Sequence, residues 1–199
     1  MGPLQVAIHY DFASTLCYVA HRIVERMQGF LEEIEVEPFW TPIDLAPIMR
    51  WTRGMQVTPD RRLHIQQIAA ALEVEAKVPT IWLDSRPVAA TALALESDPA
   101  RAASWRERVL SCVYEEGERC DDPDQIARMQ RELGIEVDAA AHERALAELE
   151  RRTRGAVEEM VTGVPTFMLG RWPFGGIQEE DTMRSLLGRW AGRQRERQG

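Results

Sequence analysis

Short apolar segments that predict strands occur only near the two ends of this chain, and about 120 mainly helical residues separate them. Residues 4–10 and 34–40 predict two strands, and a helical repeat of apolar residues lies between them. Residues 163–169 and 172–174 predict two more, and an amphipathic pattern follows them. Because strands this few and short are not stable as separate sheets, the two ends must pair in one sheet of about four strands.

The predicted order is therefore β–α–β, a helical stretch, and then β–β–α, which is a thioredoxin topology with an insertion. We predict an α/β protein with a thioredoxin fold, in which a mixed sheet of about four strands is interrupted by an all-helical insertion. Residues 1–40 and 163–199 are predicted to form the thioredoxin-like domain, and residues 41–162 the helical insertion domain.

Capping residues and glycines suggest where the helices begin and end. The first helix is predicted from Leu16 to Gln28, with Gly29 as its stop. A short helical segment is predicted from Ile48 to about Arg53, and a helix that begins at Asp98-Pro99 is predicted to run to about Gly117. The charged residues 194–199 are predicted to fray.

Proline opens the apolar strand segment at residues 163–169, where a strand would not ordinarily place it. Proline has no backbone N–H to donate to a sheet, so Pro165 suits a first strand position or a bulge. Two interpretations remain open on these residues. Pro165 either begins an ordinary strand in the trans form, or follows a cis bond after Val164 that turns the strand toward a ligand.

Composition excludes several classes of partner. A net charge of −8 and a pI near 5.1 argue against binding to nucleic acid or to an anionic membrane surface. No apolar run approaches the roughly 20 residues of a membrane span, and the N-terminus lacks a secretory pattern. Three cysteines do not make a disulfide framework, so a cytoplasmic location is expected. No His/Cys grouping has zinc-site spacing, and no metal is expected.

Several motifs, in order along the chain, resemble the DsbA-like thioredoxin-fold family. Residues 11–20, Asp-Phe-Ala-Ser-Thr-Leu-Cys-Tyr-Val-Ala, resemble the active-site turn of that family. The group includes FrnE-like oxidoreductases, 2-hydroxychromene-2-carboxylate isomerases and kappa-class glutathione transferases. Trp40-Thr-Pro42, Asp84-Ser85-Arg86-Pro87, Asp122-Pro123 and Gly163-Val-Pro-Thr-Phe167 match further family positions.

The resemblance implies which residues form the site. Ser14 and Cys17 are the candidate catalytic residues. The candidate thiol-binding or substrate-binding residues are Asp11, Phe12, Thr15, Trp40, Asp84, Ser85, Val164 and Pro165. In this family the bond before the equivalent of Pro165 is cis, so the resemblance favours the cis interpretation given above.

This sequence departs from the family pattern at the residues of the catalytic Cys-x-x-Cys motif. The oxidoreductases have Cys-x-x-Cys, whereas this chain has Ser14-Thr15-Leu16-Cys17. A lone cysteine cannot form an intramolecular disulfide, so ordinary dithiol exchange is in question. Ser14 is either a simple N-cap or a residue whose hydroxyl donates a hydrogen bond to a bound thiolate. Cys17 is either a small buried apolar residue or a thiol that forms a mixed disulfide. Asp84 stands where glutathione-using relatives often have Asn.

Three functions follow from the resemblance. The first is an oxidoreductase-like enzyme doing thiol/disulfide or glutathione-linked chemistry on a small-molecule or thiol/disulfide substrate. The second is a glutathione-dependent isomerase or transferase, with glutathione as cosubstrate and an aromatic substrate held by the helical insertion. The third is a redox-inactive binding module. The resemblance also implies a homodimer.

Overall fold

A single mixed sheet is formed from both ends of the chain in the computed structural model, which describes residues 2–198. Strand β1 (Leu4–Tyr10) pairs in parallel with β2 (Val36–Pro42) and antiparallel with β3 (Thr166–Leu169). Strand β3 in turn pairs antiparallel with β4 (Trp172–Gly175), which gives the order β2-β1-β3-β4. This arrangement confirms the predicted α/β thioredoxin topology with its helical insertion.

Helices cover the sheet and fill the stretch between β2 and β3. Several of the helices in the insertion begin at a proline that follows a capping side chain, as the sequence predicts. The helices of the described residues are α1 (Thr15–Arg26), α2 (Gln28–Glu33), α3 (Leu45–Met49), α4 (Pro59–Ala71), α5 (Arg86–Ala94), α6 (Pro99–Ser111), α7 (Pro123–Glu132), α8 (Ala139–Glu158) and α9 (Glu180–Gln198). No helix within residues 2–198 combines the length and the apolar character needed to cross a bilayer.

Two predicted helix boundaries in the first half of the chain are wrong. Gly29 does not stop the first helix, which ends at Arg26; Gly29 instead lies within α2. The segment expected over residues 48–53 is displaced toward the N-terminus, because the Asp44 carboxylate accepts a hydrogen bond from the Ala46 N–H and caps α3 there.

Two further boundaries, later in the chain, also differ from expectation. Helix α6 ends at Ser111, and a π-helical turn, Cys112–Glu116, completes the run to Gly117. Residues 194–198 do not fray but continue α9, and Gly199 lies outside the described residues. The Arg195 guanidinium explains this order, because it donates to the Ile34 carbonyl and so ties the end of α9 to the loop before β2.

The hydrophobic core is continuous between the sheet and the insertion. Val6, Ile8 and Tyr10 of β1 are almost wholly buried, and they belong to the same cluster as Trp105 and Leu110 of α6. Each such apolar side chain contributes roughly 1.5–3 kcal/mol by leaving water. The packing therefore fixes the insertion against the end of β1, where the chain enters α1.

Candidate active site

The N-terminus of α1 presents polar groups that the helix itself does not use. Ser14 occupies the N-cap position with φ −101° and ψ 111°, yet its hydroxyl accepts no capping hydrogen bond. The N–H groups of Thr15 and Leu16 have no acceptor among residues 2–198. These groups carry the partial positive charge of a helix N-terminus. The start of α1 can therefore receive an anionic atom of a ligand.

The segment before β3 forms the opposite wall. The Val164–Pro165 bond is cis, so the cis prediction is confirmed. The Pro165 carbonyl accepts a hydrogen bond of 2.7 Å from the Gly176 N–H, which anchors the segment to the end of β4. In the described chain, the backbone N–H and C=O of Val164 make no hydrogen bond. They are free to pair with an extended peptide-like ligand.

A cavity of about 230 Å³ separates these two walls, and Ser14, Thr15 and Val164 line it. The insertion provides its aromatic side. The Trp51 and Trp82 rings stack with their centroids 3.8 Å apart and an interplanar angle of 21°. On this side the cavity has an apolar face, formed by the two tryptophan rings, and a cation, Arg61.

Arg61 of α4 is the cation of the cavity. Its guanidinium carbon lies 5.3 Å from the centroid of the Trp82 ring, and the residue lines the same cavity as Ser14. No carboxylate of residues 2–198 lies within ion-pair distance of it. No local sequence pattern marks Arg61, because its stacking on Trp82 is a tertiary contact.

Asp11 lies beneath the turn that leads into α1 and fixes its shape. One carboxylate oxygen accepts from the Ala13 N–H at 2.8 Å, and the other accepts from the Leu45 N–H at 2.6 Å. Burial raises the pKa of Asp11 to about 6, although these bonds and one from Ser85 act in the opposite direction. Asp11 thus joins the Ser14 turn to the start of α3 without reaching the cavity.

Cys17 is sealed from the cavity. Its side chain is fully buried, and its sulfur accepts a hydrogen bond of 3.5 Å from the Asp11 N–H. Burial raises the pKa of the Cys17 thiol to about 12. At neutral pH about one such thiol in 10⁵ is ionised, and the thiolate is the nucleophilic form. Cys112 and Cys120 are also buried as free thiols.

Phe12 and Ser85 support the turn from below. Phe12 is fully buried, and its carbonyl accepts a 2.7 Å hydrogen bond from the Tyr114 hydroxyl. Ser85 is also buried, and its side chain acts to lower the pKa of Asp11. Their contacts explain why the turn keeps its shape, since neither residue lines the cavity.

The structure does not bring Asp84 or Trp40 into the cavity. Asp84 pairs with Arg86 at 2.8 Å and with Arg53 at 3.2 Å. Partial burial raises the pKa of Asp84, but the bonds from Arg86 and the charge of Arg53 outweigh it and hold that pKa below its ordinary value. Trp40 packs edge-on against Tyr10 at the other side of β1, with its ring centroid 5.6 Å away, and it lines a different groove.

The family model of the DSBA-like thioredoxin domain matches residues 5–188, nearly the whole chain. This chain belongs to the DsbA-like thioredoxin family. The turn at Ser14 and the cis Val164–Pro165 bond both lie within the matched range. No curated protein sequence matches the chain.

Solved structures of similar fold include both redox and non-redox proteins. A 2-hydroxychromene-2-carboxylate isomerase is 21% identical, with a TM-score of 0.68 over 97% of this chain and 98% of the other. A probable DsbA oxidoreductase from Streptomyces coelicolor is 19% identical, with a TM-score of 0.71 over 95% and 90%. The cytosolic disulfide reductase DsbM from Pseudomonas aeruginosa, solved with GSH, is 21% identical, with a TM-score of 0.64 over 92% and 97%.

Proposed function

We propose that this DsbA-like protein carries out glutathione-linked thiol chemistry at Ser14. One observation carries the proposal: Ser14, a largely buried residue whose hydroxyl does not cap its helix, lines the cavity, whereas Cys17 is fully buried and does not line it. The reactive sulfur would then come from a bound thiol rather than from the protein. Glutathione is the abundant thiol that suits a site with a peptide-binding wall.

Each wall of the cavity has a role in this proposal. The cysteinyl backbone of glutathione pairs with the free N–H and C=O of Val164, in the manner of an added strand. Its sulfur lies at the start of α1, where Ser14 donates a hydrogen bond and the N–H groups of Thr15 and Leu16 add favourable charge. These donors stabilise the thiolate relative to the thiol, so they lower the pKa of the bound thiol.

Two further observations support glutathione as the cosubstrate. The DsbM reductase, which shares this fold, was solved with GSH. In addition, the negative charge of Asp84 is matched by Arg53 and Arg86, and Asp84 does not line the cavity. Asp84 therefore places no unpaired anion beside the carboxylates of a bound tripeptide.

The stacked tryptophans favour a second candidate function, a glutathione-dependent isomerase or transferase. The Trp51–Trp82 pair provides a flat apolar face, and Arg61 provides a cation on the same side of the cavity as that face. An aromatic acid fits these two features. In a transfer reaction the thiolate forms a C–S bond and the leaving group departs with the electron pair. In an isomerisation the thiolate adds and is then eliminated, so glutathione is regenerated.

Glutathione binding measured by calorimetry tests the proposal, with the variant Ser14→Ala and the matched control Ser185→Ala on the exposed face of α9. The wild type and Ser185→Ala are expected to bind alike. Ser14→Ala is expected to raise the pKa of the bound thiol by about one unit, because one hydrogen bond to a charged group has about this effect. The pKa is measured from the absorbance of the thiolate. Absence of binding by the wild type refutes the proposal, whereas binding without turnover of any electrophile leaves the redox-inactive binding module.

We also propose a cytoplasmic location and a homodimer. A site that uses free glutathione suits a reducing compartment, as do the three unpaired cysteines. Subcellular fractionation and light scattering measure these two properties directly.

A further inference from the structure

Away from the Ser14 cavity, two helices bring three metal-ligand side chains together. His21 and Glu25 are four residues apart on α1, and Glu107 comes from α6. The His21 Nε2 atom lies 2.7 Å from a Glu107 oxygen and 3.6 Å from a Glu25 oxygen. One ligand atom from each of the three lies within 4.8 Å of the other two. This spacing suits one small cation with bonds of about 2.0–2.2 Å.

The surroundings of His21 hold its ring in this orientation. The His21 side chain is only 6% exposed, and the Trp40 ring packs edge-on against it, with centroids 5.5 Å apart at 76°. Glu25 and Glu107 are nearly half exposed, and all three side chains line a groove of about 800 Å³. The nitrogen ligand is therefore fixed in advance, while an ion and its water ligands can enter from solvent.

Charge in the groove favours a cation. Glu32, Glu35 and Glu37 line the same groove; Arg106 also lines it, and Arg195 pairs with Glu35. An ion bound at the His21 Nε2 atom replaces the His21–Glu107 hydrogen bond, because a ligating imidazole nitrogen carries no proton.

Arg22 is the cation that pairs with this cluster, and it also has partners outside the cluster. It now donates to Glu25 at 2.7 Å and to Glu107 at 2.8 Å. It also pairs with Glu115, and its guanidinium lies 5.1 Å from the Tyr18 ring centroid. If an ion takes Glu25 and Glu107, Arg22 keeps these two contacts and does not become an isolated charge.

We infer that His21, Glu25 and Glu107 bind a borderline divalent transition-metal ion of the zinc class. The imidazole nitrogen selects such an ion over Mg²⁺ and Ca²⁺, which prefer an all-oxygen set, and water completes the coordination. The bound ion joins α1 to α6, and α1 is the helix that begins at the Ser14 turn. The site does not depend on the proposed glutathione chemistry.

Equilibrium dialysis of the tag-free full chain against Zn²⁺, with metal analysis, tests the inference. The expected result is one Zn²⁺ per chain, with affinity at least tenfold weaker in His21→Ala, Glu25→Gln and Glu107→Gln. The control is His64→Ala, an exposed histidine on α4, and it is expected to bind as the wild type does. The two glutamate variants change partly exposed side chains, so they keep the test valid if His21→Ala does not fold.

Thermal unfolding gives an independent reading of the same site. Zn²⁺ at one hundred times its dissociation constant is expected to raise the Tm of the wild type by about 5–10 °C, and to leave that of Glu107→Gln unchanged. Failure of the wild type to bind Zn²⁺, or equal binding and equal Tm shifts in wild type and Glu107→Gln, overturns the inference. Glutathione binding is not measured in either experiment, so these results test the metal site independently of the proposed glutathione chemistry.

Discussion

Ionisation of the buried Asp11 is expected to make the protein less stable as the pH rises through the weakly acidic range. The pKa of Asp11 is about 6 in the folded chain, against an ordinary value of 3.8 in an unfolded one. The folded state therefore binds this proton more tightly than the unfolded state does. The contribution is fully present below about pH 4 and is lost as the pH rises through about 6.

The magnitude follows from the same two values. The difference between 3.8 and about 6 corresponds to about 3 kcal/mol in the free energy of unfolding, with a steepest slope of about 1.2 kcal/mol per pH unit. Asp11→Asn keeps the shape of the side chain and resembles the protonated acid, so it removes this slope. The stability of Asp11→Asn relative to wild type is expected to rise by about 2.4 kcal/mol between pH 4 and pH 7.

Urea unfolding followed by tryptophan fluorescence at a series of pH values measures this difference. Other groups titrate in the same range: His9, for example, has a pKa lowered by burial and contributes a slope of opposite sign. Their effects cancel in the comparison of variant with wild type. The exposed Asp60→Asn is the matched control and is expected to follow the wild type throughout. Parallel curves for wild type and Asp11→Asn would refute the reasoning.

Three other side chains near the cavity give direct tests. In the native protein, Cys17 is expected to be alkylated no faster than the protein unfolds, as measured by mass spectrometry. Rapid alkylation of the native protein would contradict the burial of Cys17. The variant Cys17→Ala is expected to retain glutathione binding. Tyr114→Phe leaves the buried Phe12 carbonyl without its donor and is expected to lower the free energy of unfolding by about 1–3 kcal/mol in urea titrations. Trp82→Ala removes the stack on Trp51 and is expected to weaken binding of an aromatic acid by roughly fivefold, while glutathione affinity, measured by calorimetry, stays within about twofold.

Features set by local sequence were predicted well. The predominance of apolar residues in 4–10 gives β1 with the predicted bounds, and capping side chains followed by proline give the starts of α4, α6 and α7. The cis bond at Pro165 came instead from the family resemblance, because the local pattern alone left the trans form open. Ser14 and Val164 face one cavity because β1 and β3 are neighbours in the sheet, which the split topology implied.

Features that depend on tertiary contacts were not predictable in the same way. Helix α9 extends to Gln198 because Arg195 reaches the Ile34 carbonyl, and no pattern within residues 194–199 indicates that partner. The role of Arg61 depends on Trp82 in the same way. The His21–Glu107 contact joins residues 86 positions apart, so a search for zinc-site spacing along the chain cannot find it.

The split sheet also determines when the cavity between Ser14 and Val164 can form during synthesis. The central strand β1 and the Ser14 turn leave the ribosome early, but β3 and the Val164 wall follow only after the whole insertion has been made. Until then, the β3-facing edge of β1 has unpaired N–H and C=O groups beside an apolar surface, an arrangement prone to association with other chains. Destabilising the insertion would therefore lower the yield of folded protein more than the stability of molecules that have already folded.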